Sequence, residues 1–139
     1  MKVKIAGRWL AGFVVFASGV ATGLLAHNGP NTDSPQRVEQ KRSDLSGPPH
    51  MEVIASIAEY KVGDALALHS HHGVEMVYVI QGAQIQLPGK KPSPIATGTT
   101  LVNLRDVEHG GWTVVGDTPL KVFTVHVVDK GKPLYEYAN

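Results

Sequence analysis

Between Gly63 and Gly82 the chain reads GDALALHSHHGVEMVYVIQG, which puts His69, His71, His72 and Glu75 within seven residues of an otherwise apolar run. Imidazole and carboxylate groups at this density are donors for divalent transition metals, because both offer a lone pair near neutral pH. Side chains two apart on a β-strand share a face, while neighbours point oppositely. His69 and His71 therefore point one way and His72 the other, which removes His72 from the set. If the following run pairs with the first as a hairpin, Glu75 returns to the face of the two histidines. Two imidazoles and a carboxylate on adjacent strands suit non-haem iron and its divalent neighbours. The two histidines continue the face of Ala65 and Ala67, so a cavity is their expected surrounding, and an inward imidazole needs a partner there. The alternative is a polar hairpin end in contact with water.

Short strands must carry these side chains. From Met51 onward, runs rich in β-branched and aromatic residues alternate with turn chemistry: MEVIASIAEY, Val62-Gly63-Asp64, ALALHSH, His72-Gly73 and VEMVYVIQ. AQIQL, PIATG, TTLVNL, WTVV and LKVFTVHVV follow, with turns at Pro88-Gly89, Arg105-Asp106, Gly110-Gly111 and Gly116-Asp117-Thr118-Pro119. No useful length of this region has a helical period. Many short strands at near-regular spacing predict an all-β sandwich or small barrel. On VEMVYVIQ, Glu75, Val77, Val79 and Gln81 share one face, and Met76, Tyr78 and Ile80 the other.

A chain of 139 residues makes one domain of ordinary size. It has no cysteine, which excludes disulfides, thiolate metal sites and thiol nucleophiles, so any metal must be held by nitrogen and oxygen. Lys2, Lys4 and Arg8 precede the uncharged run WLAGFVVFASGVATGLLA, Trp9 to Ala26. This predicts an export segment over residues 1–26, either a cleaved signal peptide or an uncleaved anchor helix. The basic residues hold the N-terminus in the cytoplasm and send the rest outside it, to the periplasm or another extracytoplasmic space. Losing these three cations turns the whole-chain net charge of +1 into −2, which suggests no nucleic-acid partner. His27 to His50 is polar, holds four prolines and reads as a tether whose last part, from about Val38, is an edge strand. The expected division is an export segment or membrane anchor at 1–26, a polar linker at 27–37 and the folded domain at 38–139.

The spacing Gly63, His69-x-His71, Glu75, Gly82 resembles the first motif of the cupin superfamily with no position missing. The second cupin motif, laid from Gly98, puts its histidine on His109 with spacing kept. Leu104, Asp106 and Thr113 stand where proline, glycine and asparagine are usual, and Asp106 tolerates the left-handed turn that glycine would make. The closing stretch GDTPLKVFTVHVVDKGKPL is also similar to the end of small exported cupins. The resemblance implies a cupin jelly-roll barrel, a double-stranded β-helix, behind the N-terminal segment. It further implies one divalent transition metal ion held by His69, His71, Glu75 and His109, with iron, manganese, nickel, zinc and copper all accepted by this set.

Fold does not choose among cupin activities. One reading is a metal-dependent enzyme of the dioxygenase, isomerase or lyase type acting on a small organic substrate. The other is a non-catalytic binding or sensing module tethered to the membrane, and a homodimer is open under both. His126 and Tyr78 are further polar candidates, but His126 is read first as a packed or dimer-facing residue and Tyr78 as core or interface. Trp112 is read as a cavity wall or a cover over the barrel rim.

Overall fold

The structure, a computed structural model, describes residues 33–138, and all regular structure among them is β. In chain order the strands are β1 (Arg37–Asp44), β2 (Met51–Tyr60), β3 (Ala65–Leu66), β4 (His69–Ser70), β5 (Gly73–Gln81), β6 (Ala83–Gln86), β7 (Ser93–Ile95), β8 (Thr100–Asn103), β9 (Trp112–Val115), β10 (Leu120–Asp129) and β11 (Glu136–Tyr137). A five-stranded antiparallel sheet runs β1-β2-β10-β5-β8, and a four-stranded one runs β3-β9-β6-β7. The short pair β11-β4 and the bridge between His69 and His109 join the chain beside the second sheet. The export segment expected at residues 1–26 lies outside the described residues.

β2 and β10 alternate strictly, because one face of each is turned into the barrel and the other away from it. The inward column of β10 runs Leu120, Val122, Thr124, His126, Val128. Leu120 and Val122 pack with Ala58, Tyr60, Val79 and Val114 in one apolar cluster, and Val128 packs with Ile54, Leu134 and Tyr135 in another. Between the clusters lies a polar layer of Ser56, Glu75, Thr124 and His126, every member at most 5% exposed. Apolar burial at both ends stabilises the barrel by about 25 cal/mol per Å² removed from water, and this holds a costly polar layer in place.

Several expectations change in detail. His69 and His71 do not share the face of Ala65 and Ala67; Leu66 points inward with them, because the chain breaks its alternation between β3 and β4. Glu75 also does not return by a hairpin. β4 pairs with β11 while β5 pairs with β10 and β8, so the histidines and the carboxylate meet across the interior. At the N-terminal boundary, Arg37 belongs to β1 rather than to a linker: its buried guanidinium pairs with Asp33 and donates to Ser56 Oγ at 2.6 Å. Ser34 is buried as well. Asp106 takes φ +58°, the left-handed turn expected of it.

Candidate metal centre

Each histidine of the cluster is oriented by a carbonyl next to its second ring nitrogen. His69 Nδ1–H donates to Ala67 O at 2.8 Å, His109 Nδ1–H donates to Val107 O at 3.0 Å, and His71 Nδ1–H donates to Leu134 O. A carbonyl only accepts, so these contacts put the proton on Nδ1 and leave each Nε2 with its lone pair facing inward. The backbone holds the same arrangement, since His69 and His109 exchange N–H···O bonds of 3.0 and 2.8 Å. Gly110, at φ +86°, follows His109 because a Cβ there would meet Ala67 O at 2.8 Å and His69 Nδ1 at 3.1 Å.

The four expected residues fall in two overlapping groups, His69 with His71 and His109, and Glu75 with His71 and His126. His71 Nε2 and His109 Nε2 are 3.1 Å apart, and Glu75 Oε2 lies 3.4 Å from the first and 3.3 Å from the second. The His69 ring centroid is 4.4 Å from that of His109 and 4.8 Å from that of His71. His69, His71 and Glu75 are at most 5% exposed, and His109 borders the cavity. His72 is outside the cluster, pairing with Glu136 at 2.8 Å and Asp106 at 3.3 Å near the surface.

Inward lone pairs beside a carboxylate repel one another unless a positive charge sits among them. The donor set therefore fits a divalent cation, and without one a proton must serve. Burial opposes a charge on His109, but the adjacent Glu75 holds its ring above the ordinary imidazole value. Burial also pushes Glu75 upward, yet the close imidazoles of His109, His126 and His71 outweigh it and hold the carboxyl well below the usual range. His69 stays neutral more firmly, because burial pushes it down to about 4.

No protein-family model matches the sequence, and neither does any curated protein. Solved structures do match. A conserved protein with a double-stranded β-helix domain from Klebsiella pneumoniae is 19% identical with a TM-score of 0.52, over 80% of this chain and 90% of that one. The polyketide cyclase RemF from Streptomyces resistomycificus is 15% identical with a TM-score of 0.54, over 76% and 72%. A cupin-like protein from Thermotoga maritima is 20% identical with a TM-score of 0.51, over 74% of each chain. The fold is that of the cupins. At these identities the likeness is one of fold.

Two neighbours of the cluster within this cupin barrel go beyond the four expected ligands. His126 is fully buried rather than dimer-facing, and sits directly across from Glu75 in the β10–β5 register. Its Nε2 is 3.2 Å from Glu75 Oε1, although off the line of a hydrogen bond, and its Nδ1 has no partner. Asn103, opposite Glu75 on β8, donates from Nδ2 to Glu75 Oε2 at 2.6 Å. The only sequence signal for Asn103 was its place in TTLVNL; that for His126 was its position in an alternating strand.

A cavity of about 260 Å³ opens beside the cluster, bordered by His69, Glu75 and His109 at one side. Val77, Ile85, Ile95, Leu101, Trp112 and Val122 make much of its wall, and Tyr60, Thr124 and Tyr135 add hydroxyls. Trp112 thus walls the cavity, edge-on to Tyr60 at 5.0 Å between centroids. Tyr78 is exposed on the outer face.

Proposed function

We propose that His69, His71, Glu75 and His109 hold one divalent transition metal ion, and that the loaded centre acts on a small organic molecule admitted to the adjoining cavity. The observation that carries this reading is the commitment of three Nδ1–H groups to backbone carbonyls, which leaves three Nε2 lone pairs free, those of His71 and His109 within 3.4 Å of one Glu75 oxygen. Four protein ligands leave one or two positions in a five- or six-coordinate shell, whereas a structural zinc site is usually a closed tetrahedron. When bound, the metal supplies Lewis acidity toward an oxygen atom of the substrate. The chain supplies the rest: carbonyls fix the imidazoles, Asn103 donates to one Glu75 oxygen while His126 lies 3.2 Å from the other, and Val77, Val122 and Trp112 give the cavity an apolar wall. Such carboxylate and carbonyl partners behind a ligand normally sharpen its orientation and basicity.

A binding or sensing role is the second reading. The mainly apolar wall favours it, since beyond the ligands the lining offers hydroxyls and an amide rather than a free acid or base. The charge asymmetry of residues 1–26 supports work outside the cytoplasm under either reading. The deciding experiment is metal analysis of the purified protein, followed by turnover assays with phenolic, diketone and sugar substrates, including oxygen uptake. A metal-free protein that takes up no divalent ion sinks the metal centre. A loaded protein that binds such compounds and converts none favours the sensing module.

A further inference from the structure

His126 carries an imidazole that the four-ligand centre does not use. The ring is fully buried, and neither of its nitrogens has a hydrogen-bond partner among the described residues. That state is costly, because a neutral imidazole has both a donor and an acceptor to satisfy. His126 Nε2 lies 3.2 Å from Glu75 Oε1 but off the line of a hydrogen bond, and its ring stands edge-on to His71 with 4.7 Å between centroids. Two donors to a common cation are placed in this way, close together with each aimed at the ion rather than at the other. A lone pair on Nε2 this near a carboxylate repels it unless positive charge lies among them.

The donor atoms of His71, Glu75 and His126 all lie within 4.8 Å of one another, as do those of His69, His71 and His109. Donors held at about 2.0–2.2 Å from one divalent ion stand about 3.0–3.5 Å apart on neighbouring corners of its shell. The observed separations are of that size: 3.2 Å from His126 to Glu75 and 3.4 Å from Glu75 to His71 in the inner group, and 3.1 Å from His71 to His109 in the outer. Both groups need His71, which has one free lone pair because its Nδ1–H is committed to Leu134 O. One ion can therefore use either group, and two ions cannot use both. The surroundings differ: His69, His109 and Glu75 border the cavity, whereas His71 and His126 do not, so an ion in the inner group is set back from the cavity. No carbonyl among the described residues fixes the His126 ring as carbonyls fix the other three, which makes the inner group the weaker.

We propose that His71, Glu75 and His126 form a second, inner position for the ion, alternative to the one that faces the cavity. The inference rests on the metal-centre reading for the presence of an ion and goes beyond it in making His126 a ligand. Cobalt(II) titration of the full chain, followed by visible absorption and then by azide addition, tests it. Wild type should take up one equivalent, and azide should shift its spectrum. His69→Ala/His109→Ala, which lacks two outer donors, should still take up one equivalent, more weakly, with a spectrum that azide leaves unchanged. Adding His126→Phe to that pair should cost a further 100-fold or more, against about 10–100-fold for the same change in wild type. A folded pair that binds cobalt no better than its His126→Phe derivative overturns the proposal, as does a pair whose spectrum azide shifts as in wild type. Uptake of two equivalents by wild type also overturns it. Metal-free thermal midpoints check folding, and His69→Leu/His109→Leu, which fills more of the vacated space, takes the place of an alanine pair that does not fold. Failure of wild type to take up cobalt would defeat the metal-centre reading and the inner position together, whereas uptake by wild type alone defeats the inner position only.

Discussion

His126 and Glu75 face each other directly across β10 and β5, with Nε2 of the one 3.2 Å from Oε1 of the other. Asn103 donates to Oε2 from the opposite strand, so the carboxylate has a neighbour on both sides. Between these neighbours Oε2 lies beside His71 and His109. His126→Gln should keep the fold and weaken metal affinity by about 10–100-fold, the usual effect of losing a group that orients a ligand. Competitive titration against a chelating dye measures this, and an unchanged affinity would make His126 a packing residue only.

The ligands themselves should be far less tolerant. His71→Ala removes a donor whose ring is fixed by Leu134 O, and the loss in metal affinity should exceed about 100-fold. His72→Ala, which removes only the surface contacts to Glu136 and Asp106, should leave metal content unchanged. Elemental analysis after dialysis separates the two. Equal metal loss in both variants would contradict the assigned cluster.

Alkaline unfolding should report Tyr60. Burial pushes its phenol up to about 12 from an ordinary value of 10. A raised folded-state value means that the native protein holds this proton more tightly than the unfolded chain does. The stability it contributes is complete below pH 10 and is lost as the pH rises through about 12. The thermal midpoint should fall across that window, and Tyr60→Phe should flatten this part of the profile. Phenolate absorbance followed in the same titration should lose one late component in the variant; retention of every component would refute the assignment.

Arg37 ties the residues ahead of Val38 to the barrel. Its guanidinium, buried between Asp33 and Ser56, is a charged donor to an otherwise enclosed hydroxyl. Removing such a partner costs about 1–3 kcal/mol. A version starting before Asp33 should therefore melt above one starting at Val38, by about 4–8 °C for each kcal/mol in a domain of this size. Both versions should still load metal, because the candidate ligands all lie at His69 or beyond. Matching midpoints would return Arg37 to the linker.

The period-two pattern of VEMVYVIQ was enough to turn Glu75, Val77 and Val79 inward and Met76, Tyr78 and Ile80 outward, because strand geometry allows a half-buried strand only two faces. The same local rule separated His72 from His69 and His71. It failed at Leu66, where the break between β3 and β4 lets the chain shift its inward face, an event that depends on Trp112 and Thr113 pairing with β3. His109 was legible only through the resemblance of its motif, since nothing local ties it to residues 38 positions earlier.

Strand partners and register decided the remainder. Glu75 meets the histidines because the inner faces of the two sheets close on each other, and not because its strand folds back on β4. His126 meets Glu75, and Thr124 lies inside the barrel, because β10 pairs with β5 in one register; a slip of a single residue would turn both to the outside. Residue types and spacing, then, determined by themselves the all-β character, the absence of thiolate chemistry and the donors available to a metal. The tertiary structure alone decided which imidazole nitrogen faces inward, which groups support Glu75 and which hydroxyl lacks a partner. Hydrogen-bond satisfaction and the surrounding electric field depend on atoms that are distant in sequence and adjacent only after the sheets have closed.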